Sequence, residues 1–175
     1  LVEPYIIIEL EQQKLFLQRI IKKKQKNKET MHDKEITLFI NGIKHAQDEF
    51  FLDSISEFQL LVDQFPDSEL ADDALYNIGL CYFNMHQFEK SVNFFETVIH
   101  NYPDGTISIL DGGNEFGKTA AKCHYAIVNC YLAMANIEKA KENVLLSKNF
   151  PDSYVLVDEI KKTFSDLAES AMTTY

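Results

Sequence analysis

The chain has 175 residues, 46% apolar and 25% charged, which is enough for one well-buried globular domain and argues against a second. Its net charge of -10 is uneven: residues 1–30 carry seven Lys/Arg against four Asp/Glu, or +3, leaving ten against twenty-three, or -13, for residues 31–175. An acidic body excludes nucleic acid as the main partner, because neutralising phosphates needs clustered Lys and Arg on the binding face.

Residues 5–28 read as an amphipathic helix. Ile6, Ile7, Leu10, Phe16, Leu17, Ile20 and Ile21 give it a broad apolar side, and Lys22 to Lys28 close it with a basic run. One reading makes it a lid on the end of the following domain, with the lysines complementing its C-terminal dipole. The other makes it a detachable segment that docks on anionic lipid or in a partner's groove. No run of 18 or more apolar residues is present, so no membrane span is expected.

From about residue 35 the chain repeats itself. Leu38, Gly42, Phe51, Ser54, Ile55, Phe58, Leu61, Phe65 and Pro66 return 37 residues later as Leu75, Gly79, Phe88, Ser91, Val92, Phe95, Val98, Tyr102 and Pro103. Each copy, 35–66 and 72–103, has three- and four-residue apolar spacing interrupted once, the pattern of two helices folded back on one another. Gly79 and Ser91 are expected at the crossing, where small side chains let the backbones approach. Pro66 and Pro103 stop the second helix of each pair, and Asp67 and Ser68 can cap the next.

Residues 104–118 form a Gly-rich insertion. Gly112-Gly113-Asn114-Glu115-Phe116-Gly117-Lys118-Thr119 fits the phosphate-loop spacing, in which backbone amides wrap phosphates, Lys118 reaches the terminal one and Thr119 ligates magnesium. Thr106 to Leu110 reads as a short strand before it, and Tyr154 to Glu159 resembles the apolar run and acid that hold the metal. Against this, Phe150 to Ile160 overlays Phe65 to Leu75, which makes Asp158 part of a helix. The parallel sheet of a phosphate-loop enzyme is also missing from the pattern. Anion binding at Gly112, Gly117, Lys118 and Thr119 stays as the alternative reading.

A third copy, 119–151, follows at a shift of 49: Ile127, Tyr131, Ile137, Ala140 and Val144 match Ile78, Tyr82, Phe88, Ser91 and Phe95, with Val128 in place of the glycine. It closes on Phe150-Pro151-Asp152-Ser153, and residues 153–172 read as a solvating C-terminal cap helix. Cys81, Cys123 and Cys130 fall among apolar neighbours and read as buried free thiols, which favours a reducing, cytoplasmic setting. Asp72 and Asp73 read as a solvated first turn. The five histidines are dispersed, and no catalytic set, metal-ligand spacing or cofactor is evident.

Leu75, Gly79, Tyr82, Ser91, Phe95, Val98 and Pro103 together resemble the tetratricopeptide repeat. The Phe-Pro-Asp-Ser junctions and the Ala71 to Pro103 repeat further resemble bacterial envelope proteins of the Tol-Pal coordinator and outer-membrane assembly lipoprotein type, which would place the chain in the periplasm instead. The resemblance implies an all-α, right-handed α-α solenoid of about three helix pairs over residues 31–175, capped at both ends. It also implies a non-enzymatic scaffold that binds an apolar or amphipathic segment of a protein partner on the concave side. The carried-over groove positions include Phe39 and Ile43; Tyr76, Leu80 and Phe83; and Lys122, Tyr125, Asn129 and Leu132. They form an apolar stripe without the Lys and Asn cluster that clamps a C-terminal carboxylate. Self-association through exposed solenoid ends is a further expectation.

Overall fold

The computed structural model describes residues 31–108 and 113–175; the expected helix at 5–28 lies outside the described residues. The described chain is an all-α solenoid of consecutive helix pairs: α1 (Met31–Gln47) with α2 (Phe51–Gln64), α3 (Ala71–Asn84) with α4 (Phe88–Asn101), and α5 (Thr119–Ala133) with α6 (Ile137–Ser147). A last helix, α7 (Phe164–Thr174), packs on α5 and α6. Each helix packs on its predecessor, and the first helices of successive pairs also touch.

The repeated small residues do what the spacing predicts. A Cβ on Gly42 would come within 2.7 Å of the Phe58 ring, and one on Gly79 within 2.5 Å of Phe95. Both rings are fully buried. Ser91 Oγ donates to the Gly79 carbonyl at 2.7 Å, so the serine occupies the same crossing. In the third pair the equivalent positions hold Val128 and Val144, two medium side chains in place of none and a large one.

The turns inside the pairs also repeat. Glu49, His86 and Ala135 have φ of 61°, 56° and 54°, and the next residue's N–H reaches back five residues in each: Phe50 to His45, Gln87 to Tyr82, Asn136 to Tyr131. This is the left-handed helix stop usually given to glycine, made here by three other residues. Between pairs, Ser68, Gly105 and Ser153 each donate N–H to the carbonyl three residues back, closing the Pro-Asp turns. The carbonyls of the same three residues then accept from the first residue of the next first helix: Ala71, Thr119 and Phe164.

The chain makes an excursion at two of those three junctions, and the excursions pair with each other. β1 (Glu115–Phe116), β2 (Tyr154–Val157) and β3 (Ile160–Thr163) form an antiparallel sheet in that order, with Glu115 opposite Val155 and Val157 opposite Ile160. Asn114 extends the ladder by accepting from Leu156 N and donating Nδ2 to its carbonyl.

The cap helix expected at 153–172 therefore starts only at Phe164. Residues 154–163 are a hairpin, and Asp158 and Glu159 form its two-residue turn with φ of 49° and 64°. Helical phase loses here because Val155 and Val157 suit a strand and β2 has a partner on both sides. Thr163 and Asp166 then form a reciprocal capping box that fixes where α7 begins. The strand expected at Thr106 to Leu110 is reduced to a single bridge from Thr106 to Lys118, with Leu110 outside the described residues.

Replacing Gly79 by Val should destabilise the fold by roughly 1–3 kcal/mol through overpacking, and Phe95 by Val by roughly 2–4 kcal/mol through a cavity. The double variant, which copies Val128 and Val144, should cost clearly less than the sum in urea unfolding. Strict additivity would refute the shared crossing.

Candidate functional site

The nine carried-over groove residues lie on α1, α3 and α5, the first helices of the three pairs. They do not form the exposed apolar stripe that the sequence suggests. Phe39, Ile43, Tyr76, Lys122, Tyr125, Asn129 and Leu132 are buried, and only Leu80 and Phe83 are half-exposed. Tyr76 packs against Phe95 at a tilt with ring centres 5.2 Å apart, which ties it into the second pair's crossing. Phe83 meets Phe88 edge-on at 5.3 Å at the other end of the same helix.

The insertion closes one end of this surface. Ser108 N donates to Asp73 Oδ2 at 2.9 Å, and Thr119 Oγ1 donates to Asp72 Oδ2 at 2.6 Å. Lys122 Nζ pairs with Glu115 Oε2 at 2.6 Å while lying 4.2 Å from the centre of the Tyr76 ring. Asp72, Asp73, Thr119 and Lys122 are all buried, so the acids are not the solvated turn that the sequence suggests. They sit in the first turn of α3, where the dipole favours negative charge. Burial nevertheless raises both carboxyls, Asp73 to about 7, reinforced there by Asp72 and opposed by Lys122. Sequence reasoning named Lys122 as a groove residue but missed its Glu115 partner, because that contact depends on where the insertion folds.

The phosphate-loop segment is committed to the same work. Lys118 Nζ donates to the Asp104 carbonyl at 2.9 Å, and Lys118 N donates to Ser153 Oγ at 2.9 Å. Gly117, at φ 104°, rests against Ser153 with no room for a Cβ, and the fully buried Thr119 hydroxyl is spent on Asp72. Gly112 lies outside the described residues. Tyr154 to Val157 is a strand, but an antiparallel one, and Asp158 serves its turn. The described donors are thus turned inward to hold two insertions together and do not converge on an anion.

The thiols are buried and free. Cys81 Sγ lies 3.3 Å from Ser54 Oγ, and Cys130 Sγ donates to Ser91 Oγ at 3.4 Å, the same inter-pair contact made twice. Burial pushes these thiols up to about 11 and about 12, so they stay protonated and inert. Among the described residues no group of three His, Cys, Asp or Glu could hold a metal ion, and no helix is long and apolar enough to cross a membrane.

Residues 73–105 match the tetratricopeptide repeat family, whose repeats generally mediate protein–protein interaction. No curated protein matches the chain, so no relative supports the resemblance to envelope proteins.

Two outcomes are expected from this geometry. Asp73 holds its proton to higher pH in the folded chain than in the unfolded one, so it favours folding at low pH and loses that effect as pH rises from about 4 to about 7. The Asp73→Asn variant should accordingly melt above the wild type at pH 8, with the gap closing by pH 5. A gap that is constant with pH would show that Asp73 is ionised throughout. Separately, Mg-ATP and Mg-GTP should leave the melting temperature unchanged, since only a ligand of the folded state raises it. A nucleotide-dependent rise would overturn the structural role given to Lys118 and Thr119.

Proposed function

We propose that this chain is a non-enzymatic interaction scaffold that takes an apolar or amphipathic segment of a protein partner along the faces of α1, α3 and α5. The observation that carries the reading is the half-exposed apolar pair Leu80 and Phe83 on α3, which falls inside the residues 73–105 that match the repeat family. Phe39 and Ile43 on α1 and Tyr125 and Leu132 on α5 are buried and form the floor that holds α3 in place. Grooves of this composition suit a helix or extended strand that presents side chains at intervals of three or four residues. Lys122 is engaged by Glu115 and the Tyr76 ring, which favours an apolar segment over a free carboxylate.

Leu80 and Phe83 are the places to test this, because Tyr76 is a core residue whose loss would unfold the second pair. Peptides selected from a random display library against the full chain should lose at least tenfold in affinity on a Leu80→Lys, Phe83→Lys double variant that keeps its helical circular dichroism. Undiminished binding to that variant would place the interaction elsewhere.

A further inference from the structure

The acids at the start of α3 are out of balance with their surroundings. Asp72 and Asp73 are 3% and 6% exposed, and Glu115 reaches in from β1 with its side chain 12% exposed. Against these three carboxylates stands the Lys122 ammonium of α5, itself 2.6 Å from Glu115 Oε2. The other titratable groups that face the pair bring no positive charge. They are the Tyr102 phenol just past the end of α4, on which Asp67 also acts, and the Cys123 thiol on α5. On the insertion itself, Lys118 turns its ammonium outward to Asp104. Three carboxylates cannot all stay ionised beside one cation in so little water, so a proton held among them is the favoured state.

The insertion is what keeps water from these acids. Ser108 N bonds to Asp73, and a Cβ on Gly105 would collide with Asp72 Oδ2, so the backbone itself lies over that carboxylate. Its apolar support is slight beside that of the helix pairs. Ile107 is buried and Phe116 stacks on Tyr154, whereas the pairs close over the fully buried rings of Phe58 and Phe95. β1 has two residues, and Thr106 adds a single bridge to Lys118.

We propose that Asp72, Asp73, Glu115 and Lys122 form a proton-operated latch. A proton held among the carboxylates keeps the insertion down on α3 and α5, and its loss makes the insertion, with the hairpin paired to it, lift away more often while the helix pairs stay folded. An acid that ionises under the insertion needs water. Lifting Gly105 and Ser108 admits it for the loss of a few hydrogen bonds, whereas parting α3 from α4 would expose the Phe95 ring. The hairpin is carried along because Glu115 and Phe116 pair with Val155 and Tyr154, and because Lys118 N bonds to Ser153 Oγ. Burial raises both acids, Asp73 to about 7 with the Asp72 charge adding to it, while a solvated aspartate gives up its proton near about 4. The closed form therefore binds the proton more tightly than the open one, and closure weakens as pH rises from about 4 to about 7 and levels off above that. The latch works whether or not a partner uses Leu80 and Phe83.

Amide hydrogen exchange of the full chain, read residue by residue by NMR from pH 5 to pH 8 and corrected for the intrinsic pH dependence of exchange, tests this. Protection at Ile107, Ser108, Lys118 and Leu156 should fall by roughly tenfold or more between pH 5 and pH 7 and change little above pH 7, while Phe95 and Val98 on α4 hold theirs. In Asp73→Asn, which keeps an acceptor for Ser108 N but cannot ionise, the fall should disappear. Protection that does not vary with pH at the four insertion and hairpin amides overturns the proposal, and so does a fall shared equally by α4, which would be global unfolding. If Asp73→Asn does not fold, Asp72→Asn removes the neighbouring charge and keeps an acceptor for Thr119; it should shrink the fall, and an unchanged fall overturns the proposal as well.

Discussion

The close approach of Gly79 to the Phe95 ring, repeated by Gly42 and Phe58, sets the geometry on which everything else depends. A helix pair that crosses over a hydrogen in place of a methyl brings its backbones near enough for Ser91 to bond the Gly79 carbonyl directly. The same serine faces Cys130 of the next pair, and Ser54 faces Cys81, so the crossing within a pair and the contact between pairs share one residue. Such sharing explains why the small residue cannot drift independently of its neighbours. It also gives the buried thiols a packing role, in which a small, weakly polar group meets a buried hydroxyl of the preceding pair.

The two insertions show how a solenoid absorbs extra chain without losing its stack. All three junctions keep the same turn and return the chain to the same carbonyl, whether the excursion is absent, as before Ala71, or long, as before Thr119 and Phe164. Each excursion alone would be a loop with unpaired backbone groups. Together they satisfy one another as a sheet, with Phe116 stacked on Tyr154 at 5.0 Å and Lys161 over the Tyr154 ring. The sheet meets the groove through the Glu115–Lys122 ion pair, and the insertion adds the hydrogen bonds of Ser108 to Asp73 and Thr119 to Asp72, all at buried groove residues. Buried charges confer less net stability than apolar packing would, but they tolerate few alternative arrangements, which suits a segment that has to be placed and not merely covered.

Much of the fold was legible because it is periodic. A shift of 37 residues carries Gly42, Ser54 and Phe58 onto Gly79, Ser91 and Phe95, and a repeat of that kind reports local packing, which sequence records directly. The shift of 49 is legible because the insertion precedes α5 and leaves the third pair's internal spacing intact. The error at 154–163 came from the same logic: Phe150 to Ser153 repeats Phe65 to Ser68 so closely that the following residues were expected to repeat as well. What decides them is pairing with Glu115 and Phe116 some forty residues away, a non-local term that no local period contains. Val155, Val157 and the Thr163-Phe-Ser-Asp166 cap were the available signals.

The candidate site was legible by position but not by state. Placing Tyr76, Leu80, Phe83, Tyr125 and Leu132 on the first helices of their pairs needed only the repeat phase, whereas their burial depends on how the neighbouring helices pack against them. Leu80 and Phe83 stay half-exposed on α3, while the insertion fixes the opposite end of the same helix through Ser108 on Asp73, Thr119 on Asp72 and Glu115 on Lys122. Opening that end would leave buried polar groups on both sides without their partners, which makes it the fixed end of the surface.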